Sequence, residues 1–93
     1  VVMPLYVAPT ADHELARHIV HDAVLSSRYL YLGKPVNVLL SMELADRVGA
    51  VVVVTAKAYV FDARHEKNFA SDVTDRVLRA FRNRGVEFPA RAA

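Results

Sequence analysis

Two stretches of the chain repeat apolar residues at the spacing of an amphipathic helix. Over residues 10–27 the apolar positions recur at i, i+1 and i+4, with charged and histidine side chains on the opposite face. Over residues 65–84 phenylalanine and valine recur at helical spacing. We therefore predict two helices, the first with Thr10 as its N-cap. The second ends at Gly85, a residue type that readily adopts the left-handed conformation found after helices.

Three other stretches have the composition of β-strands. Residues 1–7 are rich in Val, Leu and Tyr, residues 36–44 partly alternate apolar and polar positions, and residues 50–61 begin with an unbroken apolar run of mostly valine. The polar residues between the last two predict a hairpin turn over residues 45–49. After the second helix, residues 86–89 are predicted to form a short extended segment.

The predicted element order is β-α-β-β-α-β, a hairpin with one helix before it and one after it. This is the order of the ferredoxin-like α+β fold, in which both helices pack on one face of an antiparallel sheet. A chain of 93 residues has room for one modest core. We predict one such domain over residues 1–89, with residues 90–93 as a frayed tail.

Composition and charge exclude several classes of protein. A hydrophobic content of 54% excludes intrinsic disorder, and the absence of cysteine excludes disulfides, thiolate zinc sites and thiol nucleophiles. The net charge of +2 is too small to predict a nucleic-acid partner. The longest purely apolar run, residues 50–54, is far shorter than the roughly 20 residues that a membrane-spanning helix needs.

Histidines on the first predicted helix are the candidates for a metal site. His18 and His21 are three residues apart and Asp22 follows, so imidazole and carboxylate groups could project from one side. The pair His13 and Glu14 is followed by His18 one residue too late for the zincin H-E-x-x-H spacing. The alternative is a solvated helix face, which we favour, and no cofactor is predicted.

Catalytic motifs are absent from the sequence. The chain has no cysteine, no G-x-S-x-G motif and no glycine-rich phosphate loop. We therefore predict that it is not an enzyme and has neither catalytic nor cofactor-binding residues.

Two further groups of side chains have a structural explanation. Arg76, Arg79 and Arg82 form a short basic stripe, but aspartates four residues before the first two are placed to pair with them. Tyr29 and Tyr31 lie in the apolar connection before the second strand, where we expect core or interface packing.

The end of the chain carries its most specific motif. From position 59 the sequence runs YVFDARHEKNFASDVTDRVLRAFRNRGVEFP, and its last five residues are Gly85, Val86, Glu87, Phe88 and Pro89. This ending resembles the G-(I/V)-E-(I/F)-P signature that closes the α/β domain of small-conductance mechanosensitive channels, the MscS-like family. The upstream elements follow the same order, so the resemblance covers about residues 1–89.

The resemblance implies a C-terminal module of a longer channel. The family's pore-lining helix and following β domain are not in this chain. Ala90, Arg91, Ala92 and Ala93 stand where many members have an aromatic residue and a second proline. In the family, seven such modules surround a water-filled vestibule below the pore and perform no chemistry. The resemblance thus implies a homo-oligomer, a heptamer, whose parent protein lies in the cell inner membrane while this domain is cytoplasmic.

A second interpretation is the metal-sensing regulatory domain of a cation-diffusion transporter. Such a domain has the same order of elements and would use the histidines of the first helix. It does not explain the ending from Gly85 to Pro89, and for this reason the channel domain is preferred.

Overall fold

The computed structural model describes residues 1–47 and 49–89. In these residues the strands are β1 (Val2–Val7), β2 (Asn37–Ala45) and β3 (Gly49–Lys57), and the helices are α1 (His13–Ser26) and α2 (Glu66–Arg84). The strands form one antiparallel sheet in the spatial order β1-β3-β2. The predicted α+β class is confirmed. The tail predicted over residues 90–93 lies outside the described residues.

β3 is the central strand, and β1 and β2 are its edges. β2 pairs with β3 over the nine residues of each strand, whereas β1 stops at Val7, which lies opposite Val52. The hairpin of β2 and β3 therefore extends past the end of β1. Its outer pairs, such as Leu44 opposite Ala50, lie in this projecting part.

The core lies between one face of the sheet and both helices. The strand pairing places Met3 and Val7 of β1 on the same face as Val54 and Ala56 of β3, and all four are buried. The buried apolar faces of the helices are made by Ala16, Ile19, Val20, Ala23 and Val24 of α1 and by Phe69, Val73, Val77 and Phe81 of α2. The spacing that predicted the two helices is thus the spacing of their buried faces.

α1 begins three residues later than predicted, and its N-cap is Asp12 instead of Thr10. The Asp12 carboxylate accepts a hydrogen bond from the Leu15 N–H at 3.0 Å. Ahead of it, the Ala11 N–H donates to the Ala8 carbonyl at 3.0 Å and closes a turn that holds Thr10 outside the helix. The turn leaves Asp12 as the residue positioned to cap.

β3 ends at Lys57, four residues before the predicted end. Beyond it the chain leaves the sheet, and Val60 forms an isolated bridge with Leu30 of the connection before β2. A 3₁₀ turn over Ala63–His65 then leads into α2, which accounts for the start of α2 at Glu66 instead of residue 65.

The end of α2 follows the prediction, but the predicted last strand does not form. Gly85 has the left-handed φ of 72° that suits the end of a helix. Among the described residues, the segment 86–89 has one backbone bond to the β1 end, from the Ala8 N–H to the Glu87 carbonyl at 2.9 Å. Pro89 has no N–H to extend such pairing. The described sheet therefore has three strands, and the sixth predicted element is not one of them.

Candidate functional site: two exposed apolar patches

β2 is apolar in sequence but poorly covered in the structure. Leu39, Leu40, Met42 and Leu44 are 50%, 38%, 71% and 88% exposed, and we term these four residues the β2 patch. The last three alternate along the face of the sheet that bears the helices, and Leu39 lies on the opposite face. An edge strand of this kind is suited to contact with another chain.

The exposure of β2 follows from the position of α1. A groove between α1 and residues 36–39 marks the place where the helix passes the beginning of β2. Farther along the same face, exposure rises from Leu40 through Met42 to Leu44 as the hairpin projects past β1. The helix layer therefore covers the beginning of β2 better than its end.

The sequence of β2 has few of the features that protect an edge strand. Pro35 precedes the strand, and Glu43 is the one charged residue in it. Lysines, internal prolines and bulges are the usual devices that discourage pairing at a sheet edge. With a single glutamate in nine residues, β2 is open to association.

A second apolar surface lies beyond the other end of β3. Tyr31, Leu32, Tyr59 and Phe61 are 39%, 79%, 52% and 74% exposed, and we term them the aromatic patch. The ring centroids of Tyr31 and Phe61 are 5.2 Å apart. The Lys34 ammonium lies 5.3 Å from the centroid of the Tyr59 ring, within the range of a cation–π contact. Rigid aromatic side chains of this kind often dominate the energy of interfaces.

Backbone contacts join the two segments that carry the aromatic patch. The Tyr31 N–H donates to the Tyr59 carbonyl at 2.8 Å, and the bridge between Leu30 and Val60 lies beside it. Leu30 is itself part of the core. The patch is therefore fixed to the body of the domain, which lowers the entropy cost of binding through it.

Tyr29 and Tyr31 have different surroundings. Tyr29 is half-buried, and its ring centroid lies 5.5 Å from that of His65. Tyr31 belongs to the exposed aromatic patch. The sequence predicts core or interface packing for both residues. Tyr29 packs within the chain, whereas Tyr31 lies on a surface that a partner can reach.

Charged residues lie beside both patches. Glu43 is opposite Val51, so it lies on the face of the sheet away from Met42 and Leu44, and the turn beyond β2 holds Asp46 and Arg47, one residue of each sign. Beside the aromatic patch, the Lys34 ammonium contacts the Tyr59 ring. Asp62 follows the patch in the chain, but its carboxylate is bound by the Arg64 guanidinium at 2.7 Å, and this hydrogen bond lowers the pKa of the Asp62 carboxyl.

The three candidate metal ligands line two different grooves. His18 and His21 line the groove between α1 and β2, whereas Asp22 lines a different groove between α1 and α2. The distance from His21 Nδ1 to Asp22 Oδ1 is 3.9 Å. Over residues 1–47 and 49–89, no three His, Asp or Glu side chains are grouped as metal ligands.

Arg17, which lines the α1–β2 groove, forms an ion pair with Glu14. Arg17 Nη2 donates to a carboxylate oxygen of Glu14 at 2.7 Å, and this bond lowers the pKa of the Glu14 carboxyl. Arg17 Nε is buried and has no hydrogen-bond partner in the described part of the chain. Because Glu14 already offsets the charge of Arg17, the groove does not define a site for an anion.

The basic stripe of α2 is largely paired. Arg76 donates to Asp72 at 3.1 Å and Arg79 donates to Asp75 at 2.7 Å, both with the predicted i, i+4 spacing. These pairs account for two of the three arginines of the stripe without an external anion.

The residues of the Gly85 to Pro89 motif close α2 and pack against it. The Val86 N–H donates to the Phe81 carbonyl at 3.0 Å, and the Val86 side chain is buried in the core. The ring of Phe88 lies 5.7 Å from that of Phe81. In this structure the motif fixes the path of the chain after the helix.

The sequence predicts β2 as a strand with partly alternating apolar and polar positions, but it does not predict the exposure of the β2 patch. The signal that could have been used is the consecutive pair Leu39 and Leu40, which puts a large apolar side chain on each face of a single strand.

Comparison of the chain with protein-family models and with curated proteins gave no match. None of the helices in the described part of the chain combines the length and the apolar character that crossing a bilayer requires. A function for this protein therefore has to account for its two apolar patches and for the packed ending of α2.

Proposed function

We propose that the chain is the C-terminal cytoplasmic domain of a mechanosensitive ion channel of the MscS-like type, where it contributes to subunit assembly and to the vestibule below the pore. The observation that carries this proposal is the β2 patch, four large apolar side chains on the edge strand of a small domain. Left open, such a strand favours aggregation. In an assembly of identical subunits, a neighbour can cover it.

The ferredoxin-like fold belongs to the same proposal. In the split βαβ arrangement, the last strand pairs with the free edge of the first. The bond between the Ala8 N–H and the Glu87 carbonyl lies directly after the last residue of β1. We interpret residues 86–89 as a fourth strand reduced to this one contact.

In this proposal the domain has no chemistry of its own and binds no nucleic acid. The pairing of acidic and basic side chains supports this. Asp62, Asp72 and Asp75 each bind an arginine nearby in the chain, so these carboxylates are used in local ion pairs at the surface. The small net charge of +2 is in keeping with a structural role.

The proposal has two further parts. The domain assembles as a heptamer, and a part of the parent protein before Val1 attaches it to the inner membrane. They depend on the resemblance of the Gly85 to Pro89 ending to the family signature. The structure supports a constrained role for that ending, since Gly85 is left-handed and Val86 is buried.

The coding sequence upstream of Val1 tests the proposal directly. We expect an apolar helix of about 20 residues rich in Gly and Ala, followed by a β domain. An initiator methionine immediately before Val1 would contradict the proposal. Several membrane helices with internal Asp and His residues would identify the parent as a cation transporter instead.

A metal-sensing domain of a cation-diffusion transporter is the second candidate, because His18 and His21 line one groove. If this groove binds zinc, added zinc raises the melting temperature of the chain and His18→Ala cancels the rise. His13→Ala, on the same helix but outside that groove, is the matched control. An unchanged melting temperature on adding zinc would exclude this candidate.

A further inference from the structure

The first contact between β1 and β3 shows which backbone groups bond across the sheet. The Val1 amino group donates to the Ala58 carbonyl at 2.7 Å, and the Ala58 N–H donates to the Val1 carbonyl at 3.0 Å. In an antiparallel pair, residues that exchange both bonds alternate with residues whose N–H and C=O groups point away from the partner strand. The odd-numbered residues of β1 therefore bond to β3, and the even-numbered residues direct their backbone groups outward. The outward bond from the Ala8 N–H to the Glu87 carbonyl follows this alternation.

The same alternation places backbone groups of β2 at the free edge of the sheet. The even-numbered residues of β3 bond to β1, so its odd-numbered residues bond to β2. Their partners are the odd-numbered residues of β2, such as Ser41 opposite Val53. The even-numbered residues of β2 therefore direct their N–H and C=O groups away from β3, and they are Val38, Leu40, Met42 and Leu44. In the described part of the chain, these residues form no backbone bond to another element.

The two free edges of the sheet differ in what they can bond. Pro4 stands at an outward position of β1, where it breaks no bond to β3 but leaves the outer edge without one donor. β2 contains no proline, so each of its outward residues offers both a donor and an acceptor. These groups recur every second residue, or roughly every 7 Å. A second extended backbone presents its own donors and acceptors at the same spacing, so the edge of β2 is suited to pairing with a strand.

We infer that the free edge of β2 binds an extended segment of another protein, which adds to the sheet as a further antiparallel strand. Beside Leu40, Met42 and Leu44 this segment carries apolar side chains, because paired residues project to the same face of a sheet. Its intervening side chains lie on the opposite face with Ser41 and Glu43, where basic residues suit the one charge of β2. The occupant is thus a segment in which apolar and basic residues alternate.

The edge is a different surface from the one that the proposed function uses. In the proposed function a neighbouring subunit covers the side chains of the β2 patch, which project from the faces of the sheet. An added strand bonds to the backbone in the plane of the sheet. The inference therefore does not depend on the proposed function, and each of them can fail alone.

Amide hydrogen exchange of the unmodified chain tests the alternation first. The outward amides of Leu40 and Met42 are expected to exchange about tenfold faster, or more, than those of Leu39 and Ser41, which bond to β3. The probe is a seven-residue peptide of alternating valine and lysine that begins and ends with valine. An excess of this peptide is expected to slow exchange at Leu40 and Met42 about tenfold and to leave Leu39 and Ser41 unchanged.

Two N-methylated forms of the peptide separate backbone pairing from side-chain contact. In the inferred strand the valine N–H groups face β2 and the lysine N–H groups face away from it. Methylation of two lysine nitrogens should therefore preserve binding, and methylation of the two inner valine nitrogens should abolish it, as measured by calorimetric titration. The two forms have the same composition and charge, so the contrast depends only on which backbone edge is blocked.

Met42→Pro tests the same contact from the protein side. It removes an outward N–H, as Pro4 does in β1, and removes no bond to β3. We expect it to weaken binding of the lysine-methylated peptide about tenfold or more. Met42→Val has a side chain of similar size and keeps the N–H, so it is the matched control and should bind like the unmodified chain. If Met42→Pro does not fold, the two peptides still decide the question on the unmodified chain.

Four results would overturn the inference. Binding of the valine-methylated peptide, or undiminished binding to Met42→Pro, would show that backbone pairing is not the contact. Failure of the lysine-methylated peptide to bind would show that the edge does not accept such a strand. Exchange at Leu40 and Met42 that slows with rising protein concentration, without peptide, would show that a second copy takes the edge, and the proposed function would still stand.

Discussion

β2 and β3 are neighbouring strands of nine residues, both rich in apolar side chains, with opposite surroundings. β3 lies between two strands and beneath the helices, and Val54 is fully buried. β2 is paired along one side, and Met42 is 71% exposed. Two strands of similar apolar sequence can thus be buried to very different extents. The topology decides whether the side chains of such a strand are buried by the same chain or left exposed.

The difference has consequences for stability. Burying one large apolar side chain contributes roughly 1.5–3 kcal/mol. β3 obtains this contribution from its own chain on folding. The side chains of the β2 patch stay largely exposed in the folded chain, so their substitution should change the stability of the fold little.

Placing a charge on each strand is expected to give the largest contrast. Val54→Asp puts a carboxylate into the core and should cost at least about 4 kcal/mol, enough to abolish cooperative folding in a small domain. Met42→Asp, on the same face one strand away, should change stability by no more than about 0.5 kcal/mol. Urea unfolding measures both. Equal losses would show that β2 is covered within the single chain.

Truncating two phenylalanines extends the contrast to the aromatic patch. Phe81→Ala removes a fully buried ring of α2 and should cost about 3–5 kcal/mol. Phe61→Ala removes an exposed ring and should cost less than about 1 kcal/mol. Thermal unfolding of the two variants gives the comparison. A large loss for Phe61→Ala would mean that the aromatic patch stabilises the fold itself.

The N-cap of α1, one of the two helices that cover β3, is expected to give a smaller effect, because only one capping hydrogen bond is lost. Asp12→Ala removes the carboxylate that accepts from the Leu15 N–H and should cost about 1 kcal/mol. Thr10→Ala, at the cap predicted from the sequence, should be nearly neutral. If Thr10→Ala were the more costly change in urea unfolding, the helix would begin earlier than the structure shows.

The smallest expected effect concerns pH and the turn that leads from β3 to α2. The hydrogen bond from Arg64 lowers the pKa of the Asp62 carboxyl below its ordinary value of 3.8. A lowered pKa in the folded state stabilises the protein above the unfolded pKa, and this contribution is lost as pH falls through the folded value. In unfolding measured against pH, Asp62→Asn should remove this acid-dependent loss, and Arg64→Ala should reduce it, because the backbone N–H of residue 64 still donates to the Asp62 carboxylate. An unchanged profile in either would contradict the assignment.

The local features of the fold were predictable from the sequence, whereas those set by distant contacts were not. The buried spacing of Phe69, Val73 and Val77 lies within one helix, so periodicity was sufficient to predict α2. The cap of α1 was missed because Thr10 and Asp12 are both suitable, and the turn from Ala8 to Ala11 selects between them. The end of β3 was missed because a bridge to the connection before β2 redirects an apolar run that continues in sequence.

In the candidate site too, features with local signals were predictable and features set by distant contacts were not. The position of Gly85 after α2 could be predicted, since helix ends have local signals. For the β2 patch, the pair Leu39 and Leu40 gives a local signal, but the exposure of Met42 and Leu44 could not be predicted, because it depends on where α1 passes the sheet and on how far the hairpin projects beyond β1. The aromatic patch likewise depends on a backbone contact between Tyr31 and Tyr59, 28 positions apart in the sequence.

The two methionines of the chain allow the most direct test of whether another copy covers β2. Met3 of β1 is 7% exposed and Met42 of β2 is 71% exposed. Nuclear magnetic resonance of ¹³C-labelled methionine methyls, with a soluble paramagnetic agent, reports the solvent access of both in one sample. With rising protein concentration the Met42 methyl should become protected from the agent, while Met3 stays protected throughout and Leu44→Lys prevents the change. A Met42 methyl that remains equally accessible at every concentration would contradict the account.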